Sequence, residues 1–117
     1  MTTQELFDTV VKHLLTQNRR AWKKGHCLYF NTEENTKCAV GCLITEQSYS
    51  PDLEGKILEI VSPVTKAVEQ SIGRALTRLE IGLLTDLQRI HDDKDVVTWK
   101  DRFESLATFH RLTMPSI

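Results

Sequence analysis

The stretch that decides the fold is Lys-Cys-Ala-Val-Gly-Cys-Leu-Ile at residues 37–44, where a polar turn gives way to an apolar run. Cys38 and Cys42 stand four residues apart in this run, beside Gly41. Because residues four apart share one face of a helix, we predict a short buried helix from Cys38 to about Thr45. A strand over the same residues is the alternative, since periodicity does not settle the type of a short apolar run.

Upstream of this stretch, an amphipathic helix is predicted near the start of the chain. Apolar residues recur in adjacent pairs four apart between Leu6 and Leu15, which gathers them on one helical face. Thr2 and Glu5 have the spacing of a capping box, in which each side chain binds a free amide of the first turn. We expect the helix to end near Gln17 to Arg20, because Gly25 disfavours much further extension.

Three further helices are predicted downstream. Ser62-Pro63 has the sequence of a helix start, and that helix should stop near Gly73. The next should begin at Leu76 or Leu79 and end at the acidic run 92–95, and the last should carry Trp99 and Phe103.

The predicted fold class is mainly α, as a single compact helical domain of about five helices over residues 1–117. One small β-hairpin can form near residues 27–38, because Cys27–Phe30 is rich in strand-forming residues and a polar turn follows it. The predicted core comprises Leu6, Phe7, Val10, Leu14, Cys38, Val40, Leu43, Val64, Val68, Leu84, Leu87, Ile90, Trp99, Phe103 and Leu106.

The composition of the chain limits the classes of protein to which it can belong. The 117 residues are 40% hydrophobic and 26% charged, with 15 Lys and Arg against 16 Asp and Glu. Such a nearly neutral chain has no strong general attraction to nucleic acid or to anionic lipid. We find no export signal and no apolar stretch of membrane-spanning length. The three cysteines are therefore expected to be reduced thiols in a cytoplasm.

Several segments together resemble a family of small uncharacterised proteins from phages and bacteria, cyanobacteria among them. The resemblance rests on the KCAVGCLI segment at 37–44, on YSPDLEG at 49–55 and on LQRIHD at 87–92, and it extends from Leu6 to Trp99. It implies a phage or phage-related origin, and it assigns no chemistry.

Cysteine and histidine raise three alternatives for the chemistry of the chain. Cys38 and Cys42 can be buried as small apolar residues. Cys38 can instead be a nucleophile with a pKa lowered by a helix N-terminus and His91 as its base. Asp92, Asp93 or Asp86 would then orient the imidazole ring. A zinc site is the third alternative, although the two-residue knuckle between cysteines is absent. Its candidate ligands are His26, Cys27, Cys38, Cys42 and His91.

Positive charge concentrates between Arg19 and His26, around Trp22. Trp, Tyr and Arg are enriched at the centres of protein interfaces, so we predict a binding edge here. In the competing account Trp22 lies in the core. The edge comprises Arg19, Arg20, Trp22, Lys23, Lys24 and Tyr29.

The function that we expect is a small non-enzymatic protein-binding module, phage-encoded, that inhibits or modulates a host or defence protein. The alternatives are a thiol-dependent hydrolase or transferase that uses Cys38 and His91, and a small zinc-stabilised module. A protein partner is expected, with no cofactor, nucleic acid or membrane.

Overall fold

A computed structural model describes residues 1–116 of the chain and confirms a mainly α fold. Within these residues the helices are α1 (Thr3–Gln17), α2 (Pro63–Ile72), α3 (Arg78–Asp93) and α4 (Trp99–Phe109). The strands are β1 (Trp22–Lys23), β2 (His26–Cys27), β3 (Phe30–Asn31) and β4 (Thr36–Lys37). In this part of the chain no helix combines the length and apolar character that a membrane span requires.

The helix ends follow capping signals that the sequence carries. Thr2 and Glu5 form the predicted capping box at the start of α1. The Ser62 side chain accepts a hydrogen bond from the Thr65 amide at the start of α2, and α2 ends at Gly73 in a left-handed conformation. Side chains at these positions bind amides that the first turn of a helix leaves without partners.

The helix predicted from Cys38 to Thr45 is wrong, and residues 1–116 therefore form four α-helices instead of five. Only a single 3-10 turn forms, at Gly41–Leu43. The Val40 amide donates to Oε1 of Gln88 at 2.9 Å, and Gly41 lies so close to Tyr29 that a Cβ would stand 1.9 Å from its carbonyl oxygen. These long-range contacts hold the segment in a tight turn. Neither a helix nor the alternative strand over 37–44 is compatible with them.

A small antiparallel hairpin forms within the predicted 27–38 region, and an additional hairpin, which was not predicted, precedes it along the described chain. Trp22 pairs with Cys27 in the first hairpin, and Phe30 pairs with Lys37 in the second. Glu54 divides the expected 27–30 strand, since its carboxylate accepts the backbone amides of Tyr29 at 2.8 Å and Phe30 at 3.2 Å. A carboxylate from a distant loop thus provides the hydrogen bonds that a neighbouring strand would otherwise provide.

The core forms where α1 packs against α3, α4 and the Gly41–Leu43 turn. All of the predicted core residues are buried except Ile90 and Leu106. These two are half-buried because they line an open groove between α3 and α4. Neither Cys38 nor Cys42 is exposed, as the burial of a small apolar side chain predicts.

A buried carboxylate joins the start of α3 to the rest of the fold. Thr77 and Glu80 form a capping box there, at a helix start that lies between the two predicted positions. The Glu80 side chain is 2% exposed and accepts two hydrogen bonds from Arg74, at 2.9 and 2.7 Å, and one from Thr3 at 2.8 Å. The Arg74 guanidinium holds the pKa of this carboxyl at about 2.

Glu80→Gln should destabilise the fold at neutral pH by removing that charge. Lowering the pKa from 4.5 to about 2 on folding corresponds to roughly 3 kcal/mol at pH 7. For a carboxyl with a lowered pKa, this contribution is full above 4.5 and is lost as the pH falls towards 2. Urea unfolding at a series of pH values should therefore show that the difference in unfolding free energy between Glu80→Gln and the parent shrinks as the pH falls from 4.5 to about 2. Glu104→Gln, at an exposed position on α4, is the control and should show no such window.

Gly41→Ala should destabilise the fold by at least about 2 kcal/mol, because its Cβ would force apart two backbone segments. Gly82→Ala is the matched control. Position 82 is an exposed site inside α3 with open space around the added Cβ, so alanine should stabilise the helix by roughly 0.5–1 kcal/mol. Equal unfolding free energies for the two variants would contradict the close approach of Gly41 to Tyr29.

Candidate functional site

A cleft of about 400 Å³ lies between α3, the first hairpin and the loop at 55–58. Leu28, Val40, Ile57 and Leu58 give it apolar walls. Its polar lining comes mainly from Cys27, Tyr29, Cys38, Lys56, Thr85, Gln88, Arg89 and Asp92. The volume is in the range of small-molecule sites, roughly 300–1,000 Å³.

Asp92 lies at the polar end of this cleft and is held by its neighbours. Its Oδ1 lies 2.7 Å from Nδ1 of His91 and 2.7 Å from Nε2 of Gln88. Oε1 of Gln88 in turn accepts the Val40 amide. Two donors on one oxygen fix the orientation of the carboxylate, and the Cys27 thiol lies beside it.

The His91 ring is fully buried, and both of its nitrogens have partners. The Ala21 amide donates to Nε2 at 3.0 Å, so Nε2 carries the lone pair. The ring proton is therefore on Nδ1, which donates it to Asp92. Trp99 stacks on the ring with a centroid distance of 5.7 Å. This arrangement leaves His91 no free nitrogen to accept a proton from a thiol, and its role is to join β1 to α3.

Of the candidate zinc ligands, the structure brings together Cys27 and His91, with Asp92 as a third donor. Their ligand atoms lie within 4.8 Å of one another, and within residues 1–116 this is the one such group. A metal on Nδ1 of His91 would require a proton on Nε2, where it would oppose the Ala21 amide. The donor set therefore fits a metal poorly. His26, Cys38 and Cys42 lie outside this group.

All three thiols are in environments that favour the protonated form. Burial raises the pKa of Cys38 well above its ordinary value, and its Sγ accepts the Gly41 amide at 3.2 Å. Burial also raises the pKa of Cys42 to about 12. Burial first and the Asp92 carboxylate second raise the pKa of Cys27 to about 12. The expected lowering of the Cys38 pKa by a helix N-terminus is wrong, because no α-helix begins there.

The predicted binding edge is only partly assembled as one surface. Trp22 is 51% exposed, so the account that places it in the core is wrong. Arg20 is engaged with the end of α3, where it donates to the carbonyl of His91 at 2.9 Å and to that of Lys94 at 2.6 Å. Tyr29 lines the cleft, and its hydroxyl donates to the Lys56 carbonyl.

Two of the remaining cations on this edge pair with acidic residues of the second hairpin. Arg19 forms an ion pair with Glu34 at 3.0 Å, and Lys23 forms one with Glu33. Lys24 is exposed at the turn of the first hairpin. The edge is thus a surface of mixed charge around an exposed indole, and it is less basic than the sequence indicates.

Sequence reasoning overlooked Gln88 and Glu54, although both lie within the segments that carry the family resemblance. Gln88 stands one turn before Asp92 on α3, a spacing that places the two side chains together. This spacing from Asp92 is the sequence signal that could have identified Gln88. Glu54 gave no local signal, because its partners are the amides of residues 29 and 30, some 25 positions earlier.

No protein-family description, curated protein or solved structure matches this chain significantly. The resemblance to phage and bacterial proteins therefore stays a prediction from the segments at 37–44, 49–55 and 87–92. The inferences about sites and chemistry rest on the geometry of the described residues.

Asp92→Asn should lower the pKa of Cys27 by removing the negative charge beside its thiol. Alkylation by iodoacetamide at pH 8 should then be faster at Cys27 by several-fold, while the buried Cys38 stays slow. Peptide mass spectrometry measures both rates in one sample. Asp93→Asn is the control, because Asp93 makes the smaller contribution to the Cys27 pKa. An unchanged rate at Cys27 in a folded Asp92→Asn protein would contradict the proximity of the two groups.

Proposed function

We propose that this chain is a small non-enzymatic protein-binding module that engages its partner through Trp22 on the first hairpin. The observation that carries the proposal is a half-exposed indole on a firmly held backbone. Large aromatic side chains in such positions bury much area on binding at a small cost in conformational entropy.

Three contacts hold the backbone beneath Trp22. Its carbonyl accepts from Nδ2 of Asn31 at 3.0 Å, and β1 pairs with β2 directly below the indole. On the other side, the Ala21 amide donates to the buried ring of His91. A binding residue on a rigid support loses little freedom when a partner covers it, which raises affinity.

Charges around Trp22 favour a partner with a mixed-charge rim over a strongly acidic one. Arg19 and Lys23 already have acidic partners in Glu34 and Glu33. Lys24 remains as an exposed cation at the tip of the hairpin. Arg20 is part of the fold as well as of the surface, because its guanidinium binds the carbonyls at the end of α3.

A binding role agrees better with the cleft chemistry than the thiol-enzyme alternative does. A nucleophilic cysteine needs a thiolate and a base with a free nitrogen. Here Cys38 is fully buried with a raised pKa, and both nitrogens of His91 have partners in the fold. We further propose that the partner is a host or defence protein and that binding inhibits or modulates it. This part of the proposal rests on the resemblance to phage and bacterial proteins.

Trp22→Ala should abolish partner capture while the protein stays folded. We expect the loss in unfolding free energy to be about 1 kcal/mol or less, because the indole is half exposed. The measurement is affinity capture from a bacterial lysate with quantitative mass spectrometry, alongside thermal unfolding of each bait.

Leu79→Ala is the matched control, because Leu79 is 80% exposed near the start of α3 and lies outside the binding edge. A partner retained at stoichiometric level by the parent and by Leu79→Ala, but lost with Trp22→Ala, supports the proposal. Equal capture by folded Trp22→Ala, or no reproducible partner for the parent, overturns it.

A further inference from the structure

We propose that the cleft beside α3 binds a free α-amino acid with an aliphatic side chain. Its ammonium would lie on Asp92, its carboxylate between Arg89 and Lys56, and its side chain against the apolar walls. The inference does not depend on the protein-binding role, because it uses a different part of the surface from Trp22.

Asp92 supplies a preorganised acceptor for the ammonium group. His91 and Gln88 both bind Oδ1, so the carboxylate is oriented before any ligand arrives. The side chain is 32% exposed and lines the cleft. An acceptor that is already fixed needs no reorganisation on binding, and a charge-assisted hydrogen bond to it is stronger than a neutral one.

Arg89 and Lys56 are exposed cations that line the same cleft and supply the opposite charge. Arg89 and Asp92 lie three residues apart on α3 and share a face, yet no ion pair joins them in the described part of the chain. Asp92 is turned inward to His91, which leaves the guanidinium of Arg89 available to a ligand carboxylate. A ligand with both charges on neighbouring atoms matches this arrangement, whereas a simple cation would be repelled by Arg89 and Lys56.

The apolar walls select the side chain of the ligand. Leu28, Val40, Ile57 and Leu58 are all aliphatic and come from three separate segments of the chain. Ile57 is 65% exposed in the free protein, so a ligand that covers it removes apolar surface from water. The cleft volume of about 400 Å³ is at the low end for ligand sites, in agreement with a ligand of this small size.

The test is calorimetric titration of the purified full chain with L-leucine up to about 10 mM, the range in which a weak small-ligand complex is measurable. N-acetyl-L-leucine removes the positive charge, and L-leucinamide removes the negative charge. We expect L-leucine to bind and each analogue to bind at least about tenfold more weakly, because each loses a charged hydrogen bond. No binding of L-leucine in this range, or equal binding of either analogue, overturns the proposal.

Variants of the protein locate the site. Arg89→Gln should weaken L-leucine binding about tenfold, and Arg78→Gln, an exposed cation at the start of the same helix, should not. Equal weakening by both overturns the proposal. Asp92→Asn should abolish binding. If that variant does not fold, Arg89→Gln and the N-acetyl analogue decide the outcome. Loss of partner capture by Trp22→Ala with intact L-leucine binding would separate the two proposed surfaces.

Discussion

A chain of hydrogen bonds through the buried His91 ring joins three segments that lie far apart in sequence. It runs from the Ala21 amide through His91 and Asp92 to Gln88, and on to the amide of Val40. The first hairpin, α3 and the cysteine segment are thereby fixed to one another. A partly buried polar chain of this kind stabilises when its members are satisfied, and each of the three side chains binds two partners in it.

This chain of bonds also determines what the cleft can do. It holds His91 in one tautomer and orients Asp92, which makes the carboxylate a preorganised acceptor. The same bonds remove His91 as a base and oppose a metal at its ring. A His-Asp pair beside a cysteine therefore serves the structure and the shape of the cleft, although the same residue types are typical of a catalytic site. Both proposed functions therefore use surfaces that do not require His91 as a base, namely the exposed indole of Trp22 and the amphipathic cleft.

Local sequence signals were sufficient for the long helices. Thr2 with Glu5, and Ser62 with Pro63, mark helix starts because capping depends on residues only two or three positions apart. Local sequence signals were insufficient at residues 38–45, because Gln88 and the carbonyl of Tyr29 decide the backbone conformation there. The exposure of Trp22 was likewise undetermined, because a half-exposed and a buried tryptophan have the same sequence pattern.

The sequence by itself determined the mainly α class, most of the core and the positions of the helix ends, since periodicity and capping act within a few residues. Only the tertiary structure decided that Cys38 is sealed in the core, that Arg20 binds the end of α3 and that Glu54 divides the β structure into two hairpins. Each of these depends on a hydrogen bond or a close approach between segments distant along the chain. Such contacts require the fold to form first, and no local pattern of residues encodes them.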